Sequence, residues 1–400
     1  MTIAASPFPV LVGGLTYLDT AATSQTPEPV LEAMEGYYRE YRASIHRGVY
    51  ELAVRATEAY EGARAKAAAL VGSTPGETIF TRNATEAINL VAYSWGSANL
   101  GPGDLIVLTE MEHHSSIVPW QMAAQRAGAT IAYVGVDDDG HLSMDELDAL
   151  LVREPKLVGV IHASNVVGTI NDVSEIARRA HAAGAVLMVD GSQAVPHFPV
   201  DVGALDADFY AWTGHKAYGP TGIGILHAKR ALLEAMPPFI GGGHMIAKVS
   251  EQSSTYAEVP SKFEAGTGAV AEGIGLGAAC DFLTDIGLDE VWAHDQAMSA
   301  YALERLDEVP GLKVHGPRDP AGRVALASFE LEGVHPHDVA EILGSENVCV
   351  RAGHHCAQPL MRRLGVPASS RASFAIHSAR EDVDRLVNGL HHVRKVFRLD

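Results

Sequence analysis

Cysteine is scarce: 400 residues contain three, Cys280, Cys349 and Cys356. Three thiols so unevenly spaced make no disulfide framework, and their scarcity fits a reducing cytoplasm. Basic residues are also few, 30 Lys and Arg against 49 Asp and Glu, for a formal charge of −19. Binding a phosphate backbone or an anionic membrane needs basic patches, so no nucleic-acid partner and no membrane surface is expected; the acidic surplus reads as solvated surface. Long apolar runs are missing as well. Met1–Gly14 has no basic start and is broken by Pro7, Pro9 and Gly13–Gly14, so it reads neither as a signal peptide nor as a membrane span, and no later segment spans. There is no internal repeat, low-complexity tract or disordered linker. What is present, 47% hydrophobic and 20% charged residues, suffices for an ample core split between two domains.

The chain begins with a short apolar strand, the small-residue loop Thr20–Gln25, and a helix opened by Pro27–Pro29 and running towards Tyr41. A polar loop, Ser44–Gly48, precedes a helix expected from about Thr57 to Val71. Strands and helices then alternate. Strands are expected at Glu77–Thr81, Leu105–Leu108, Thr130–Val134, Leu157–His162 and Ala185–Val189, with helices from Ala87, to Ala127, over Ser143–Leu151 and over Val173–Ala183. Runs apolar on both faces and separated by helices indicate a mainly parallel sheet covered on both sides. Ligands of such sheets bind beyond the carboxyl ends of the strands. Thr85, His113, Asn165, Asp190, Gln193 and Lys216 all follow such ends, so they can converge without being neighbours in sequence. Beyond His227 the composition shifts. Gly241–Gly243 and Ser250–Glu258 suggest a long excursion, the Gly/Ala-rich Ile274–Leu283 a helix, and the remainder a smaller α+β domain beginning near Thr284.

The stretch Asp208–Pro220 organises the rest. An apolar strand ends in a small-residue turn that presents Lys216 beside a hydroxyl and an imidazole. A lysine held at the dry end of a sheet has its ammonium desolvated, which frees the neutral amine to condense with an aldehyde. An aldehyde cofactor with a pyridine ring and a phosphate needs a lysine, an acid for the ring nitrogen, an anion cradle and a stacking partner. Candidates exist for all four: Lys216, Asp190, the small-residue turn at Thr85 with Thr213 and His215, and His113, with Gln193 for the ring oxygen. Each also has an ordinary reading. Lys216 suits a solvated loop, Thr85 a plain N-cap, His113 a structural histidine, Asp190 a cap, His215 packing and Gln193 a turn.

A second constellation is Arg351–Ala352–Gly353–His354–His355–Cys356–Ala357–Gln358–Pro359. It reads as a glycine-flexed loop carrying a cysteine beside two imidazoles, surroundings suited to a nucleophilic thiol. No metal is expected, because adjacent His-His-Cys does not match ligand spacing and no second pair follows. Cys349 and Cys280 read as core residues.

On these motifs the chain resembles the SUF-type cysteine desulfurases, group II of the class V aminotransferase family, over nearly its whole length. The carriers are Asp19–Gln25, His46–Arg47–Gly48, Met111–Glu112–His113–His114, Ser164–Gly168, Val189–Ala194, Thr213–Lys216, Phe263–Thr267 and Arg351–Cys356. The resemblance implies fold type I of the pyridoxal 5'-phosphate enzymes, an α/β fold with a mainly parallel sheet covered by helices and a smaller C-terminal α+β domain. It divides the chain into an N-terminal segment (1–20) packing with the small domain, a large cofactor domain (21–283) and a small domain (284–400) with the cysteine loop. It implies that Lys216 holds the cofactor, Asp190 pairs with its nitrogen, Gln193 with its phenolic oxygen, and His113 stacks on the ring and serves in catalysis. Ala84, Thr85, Thr213 and His215 would hold the phosphate, joined by Thr267 from the other subunit of a homodimer. Arg371 and Asn165, with His46 and Arg351, would bind substrate, and Cys356 would accept sulfur from L-cysteine for a SUF-system acceptor protein serving iron–sulfur cluster assembly. Selenocysteine lyases and other class V aminotransferases or lyases are the alternatives.

Overall fold

The computed structural model describes residues 7–399; the first six residues of the Met1–Gly14 stretch lie outside the described part, as does Asp400. Among the described residues no helix is long and apolar enough to cross a membrane. Strand β1 (Thr16–Tyr17) leads to α1 (Glu28–Gly36), which has Pro29 in its first turn and continues into a wider helical turn at Tyr37–Tyr41. Helix α2 (Glu51–Leu70) starts two turns earlier than the sequence pattern indicates. Its first turns bury only Ala53 and Ala56 and turn Leu52 and Val54 outward, so no large apolar stripe marks them.

The alternation follows as β2 (Thr78–Thr81), α3 (Ala84–Asn99), β3 (Leu105–Thr109), α4 (His114–Ala127), β4 (Thr130–Val134) and α5 (Met144–Leu151). It continues through β5 (Leu157–Ile161), α6 (Val173–Ala182), β6 (Val186–Asp190), β7 (Phe209–Thr213) and β8 (Gly224–Ala228). These strands form one seven-stranded sheet ordered β2-β8-β7-β6-β5-β3-β4. Strand β8 runs against both its neighbours and the others share one direction. Strands β3, β5, β7 and β8 are buried along their whole length, which is why they read as near-continuous apolar runs. Alternate residues feed two cores. Val107, Val158, Leu187 and Tyr210 face one; Ile106, Leu157, Met188 and Phe209 face the other.

After α7 (Arg230–Ala235), the expected excursion contains a hairpin of β9 (Ile246–Val249) and β10 (Ser254–Tyr256). It is almost entirely exposed, so no apolar alternation marks it in the sequence. Helix α8 (Val270–Ile286) returns to pack on α1 and α2. Gly287, at φ +87°, ends it, and α9 (Leu288–Asp307) begins. The remaining elements are β11 (Leu312–Val314), β12 (Leu326–Leu331), α10 (Pro336–Ser345), β13 (Val348–Cys349), β14 (Arg351–Gly353), α11 (Gln358–Arg363), β15 (Ser369–Ser373) and α12 (Arg380–Phe397). They build an antiparallel sheet, β11-β12-β15-β14, over a core that includes Phe329, Phe374 and Leu390. Strand β1 pairs in parallel with β13, so the N-terminal strand lies on this C-terminal layer. Arg351–Gly353, read from sequence as part of a loop, is an edge strand; the loop proper is His354–Ala357.

Candidate active site

A cavity of about 190 Å³ opens beyond the carboxyl ends of β2, β3, β5, β6 and β7. Ala84, Thr85, His113, Asn165, Asp190, Gln193, Thr213, His215, Lys216, Arg351, Cys356 and Arg371 all line it. His46 and Thr267 do not. They line a separate cavity of about 820 Å³, where the His46 ring stacks on His244 at 4.7 Å and its Nε2 meets Glu61 at 2.8 Å.

Lys216 closes the tight turn Gly214–Lys216 that follows β7. Only glycine fits at position 214, since a Cβ there would stand 2.8 Å from the Ile223 side chain and 3.1 Å from its carbonyl. The turn is also gripped from the N-terminal loop. The backbone N–H and the hydroxyl of Ser24 donate to the His215 carbonyl at 2.8 and 3.0 Å, and the Ser24 oxygen accepts from the Tyr218 N–H at 2.8 Å. Sequence reasoning gave Ser24 no such part; its small-residue loop was the one signal. Burial pushes the Lys216 ammonium down to about 8 against the opposing pull of Asp190, so near neutral pH a usable fraction is free amine. Asp190 ends β6, is buried, and accepts from the Ser192 N–H at 3.0 Å. Gln193 donates to the Ala21 carbonyl at 2.8 Å, which orients its amide in the cavity wall.

Another part of the cavity wall has the makings of an anion cradle. Asn83 caps α3 by accepting from the Glu86 N–H at 2.9 Å, and the first-turn residues Ala84 and Thr85, whose N–H groups have no partner within the helix, line the cavity. Gly224 makes this approach possible: a Cβ there would lie 2.5 Å from the Asn83 Cα. The Thr213 hydroxyl is buried without a partner, and His215 is pushed down to about 4, first by burial and then by Lys216. An orphaned donor, a helix N-terminus and a neutral imidazole fit a phosphate, and the lysine and carboxylate beyond them fit an aldehyde and a pyridine nitrogen.

His113 caps α4. Its Nδ1 accepts from the Ser115 N–H at 3.1 Å, which leaves the proton of the neutral ring on Nε2. Burial, then Lys216, holds its pKa down to about 4. The preceding Glu112 is fully buried and ties β3 to β5, its Oε1 accepting from the Thr109 hydroxyl at 2.8 Å and the Ile161 N–H at 2.7 Å. Burial pushes it up to about 7.

Arg371 and Cys356 approach from the C-terminal layer. The Arg371 guanidinium donates to the Asn165 carbonyl at 2.8 Å and to Asp19 at 3.2 Å, while its Nε stays buried and unpartnered. Burial lowers its pKa to about 10, opposed by Asp19, so it remains cationic. The loop at Cys356 is held rather than free. Asn165 donates to the His355 carbonyl at 2.7 Å, the His355 ring meets the Ser369 hydroxyl at 3.0 Å, and the His114 N–H donates to the Cys356 carbonyl at 2.8 Å. Neither other thiol lines this cavity. Cys280 is buried in α8 and pushed up to about 12 by that burial.

Residues 16–386 match the family model described as aminotransferase class-V. The chain belongs to the class-V aminotransferase family. A probable cysteine desulfurase of Halalkalibacterium halodurans is 51% identical to this class-V chain over 98% of it and 97% of the relative. The cysteine desulfurase CsdA of Escherichia coli superposes with a TM-score of 0.92 at 39% identity, covering 98% of this chain and 97% of that one. That of Thermococcus onnurineus superposes at 0.95 with 38% identity, covering 98% of each. Class-V enzymes of this kind depend on pyridoxal phosphate, the group that the lysine, carboxylate and anion cradle fit.

Proposed function

We propose that this chain is a pyridoxal-phosphate-dependent cysteine desulfurase that converts L-cysteine to L-alanine and leaves the sulfur as a persulfide on Cys356. One observation carries the reading: a lysine with a depressed pKa and a cysteine share a single cavity, with a buried arginine from the same layer as the cysteine. When bound, pyridoxal phosphate supplies an electrophilic aldehyde and a ring that accepts the electron pair of a deprotonated α-carbon. Lys216 would anchor it, Asp190 would face its ring nitrogen, Gln193 its phenolic oxygen and His113 its ring, with Ala84, Thr85, Thr213 and His215 at the phosphate.

Arg371 holds the substrate carboxylate, assisted by Asn165 and Arg351, and Asp19 keeps the guanidinium oriented. Lys216, as free amine, takes the α-proton of cysteine. The Cys356 thiolate attacks the substrate sulfur and an S–S bond forms as the carbon–sulfur bond breaks; the proton that Cys356 gives up passes to the His113 ring and from it to the departing fragment, so the ring ends neutral. Cysteine and the Cys356 thiol thus become alanine and the Cys356 persulfide, with no external oxidant or reductant.

The finer reading is a SUF-type enzyme. His46 and Thr267 stand outside the chain's own site, which supports a homodimer in which Thr267 completes the partner's phosphate cradle and His46 its substrate side. Val49, Tyr50, Leu52 and Val54, exposed just after His46, suit such a contact. A sulfur-acceptor protein of the SUF system, a cytoplasmic location, and the division into 1–20, 21–283 and 284–400 belong to the same reading.

Mass spectrometry of the holoenzyme after one turnover with L-cysteine tests it. The expected result is one added sulfur on Cys356 with one equivalent of alanine, absent in Cys356→Ser, which still binds the cofactor. An adduct on Cys280 or Cys349 with Cys356 unmodified would refute the mechanism.

A further inference from the structure

Helix α4 begins with two adjacent histidines that face different ways. His113 lines the cavity. His114 reaches the cysteine loop at two points, at Cys356 and just after it: its backbone N–H donates to the Cys356 carbonyl at 2.8 Å, and its Nε2 accepts from the Gln358 N–H at 3.2 Å. The first bond uses one of the donors that a helix start leaves without an internal partner. The second uses the first N–H of α11, which has the same need. Immediately before these two points the backbone is in an unfavourable state. His355 and Cys356 have φ of +51° and +57°, a region that side chains bearing a Cβ avoid, so the turn persists only where surrounding bonds determine it. Because Nε2 accepts, the neutral ring carries its proton on Nδ1, and burial followed by the neighbouring His354 keeps the ring in that neutral form.

We propose, resting on the reading of Cys356 as the sulfur acceptor, that His114 is a positioning residue for that thiol: its ring, bonded to the Gln358 N–H, keeps the left-handed His355–Cys356 turn aimed into the cavity. His114 touches neither substrate nor cofactor. Its action is through the loop, and it separates two tasks along one helix start, His113 towards the cofactor site and His114 towards the nucleophile.

Three variants of the holoenzyme test this, read by the alkylation rate of Cys356 with iodoacetamide and by kcat and KM for cysteine. His114→Phe keeps the volume and removes the acceptor. Losing one neutral hydrogen bond corresponds to about a fivefold effect, so alkylation should rise and kcat should fall by about that factor, with KM and the cofactor absorbance unchanged. His114→Gln, whose Oε1 can stand where Nε2 stood, should restore both rates. Gln358→Pro removes the donor at a helix position that tolerates proline, should reproduce His114→Phe, and should add nothing to it in the double variant. Equal behaviour of His114→Phe and His114→Gln, or wild-type alkylation in Gln358→Pro, would overturn the proposal; Gln358→Pro decides alone if His114→Phe fails to fold. Alkylation needs no turnover. A wild type that forms no persulfide therefore fails the desulfurase reading, while the alkylation contrast still judges the clamp.

Discussion

The carboxylate of Asp19, on the loop after β1, stands 3.2 Å from the guanidinium of Arg371 in β15. Arg371 is 2% exposed and has no other carboxylate partner among the described residues, so Asp19 supplies the counter-charge that lets a cation sit in the cavity wall. Arg371→Lys and Arg371→Ala should both raise KM for L-cysteine, by roughly tenfold or more, because an ammonium does not reproduce the planar fork. Cofactor absorbance should be retained. Asp19→Asn should cost about 1–3 kcal/mol in urea denaturation, the range for weakening a charged buried contact. An unchanged KM in Arg371→Ala would put the carboxylate site elsewhere.

Lys216 should be the residue that borohydride fixes to the cofactor, and Lys216→Ala should fold while losing that adduct, because the cavity wall comes from several strands. Its amine is raised in availability by burial, so covalent loading of the apo-protein should quicken with pH and level off above about 8. Peptide mapping and stopped-flow absorbance give the two readings; a plateau only near the ordinary lysine range would remove burial as the tuning cause.

Asp190→Asn should retain cofactor but slow exchange of the substrate α-proton with solvent roughly ten- to hundredfold, the loss expected when a charge-assisted hydrogen bond becomes a neutral one. Proton NMR in deuterated buffer measures it. Exchange at the wild-type rate would exclude the pairing of Asp190 with the ring nitrogen.

Glu112 has its folded pKa raised from 4.5 to about 7 by burial. A raised carboxyl favours the folded state fully below the unfolded pKa, and that contribution is lost as pH rises from about 4.5 through about 7. Glu112→Gln keeps the acceptor for Thr109 and Ile161 without a titrating group. It should flatten the stability profile in that window and, at pH 8, improve relative stability by up to about 3 kcal/mol. Thermal denaturation across pH 4–8 provides the comparison, and parallel profiles for the two proteins would mean that Glu112 does not titrate there.

The sequence by itself determined the central sheet, because strands buried on both faces must be apolar throughout and the helices between them must carry caps and stripes. It also placed Thr85, His113, Asn165, Asp190 and Lys216 just after strand ends, and parallel strands bring such positions to one edge whatever the loops do. The outward-facing start of α2 and the exposed β9–β10 hairpin were illegible, since neither buries a large apolar face. Only the tertiary structure decided which groups hold the site residues in place. Ser24 and the His215 carbonyl are 191 residues apart, His114 and Gln358 244, and Asp19 and Arg371 352. No local pattern encodes such bonds. They exist because the N-terminal strand crosses to the C-terminal layer and that layer closes over the strand ends, bringing polar groups into a dry cavity where each must find a partner.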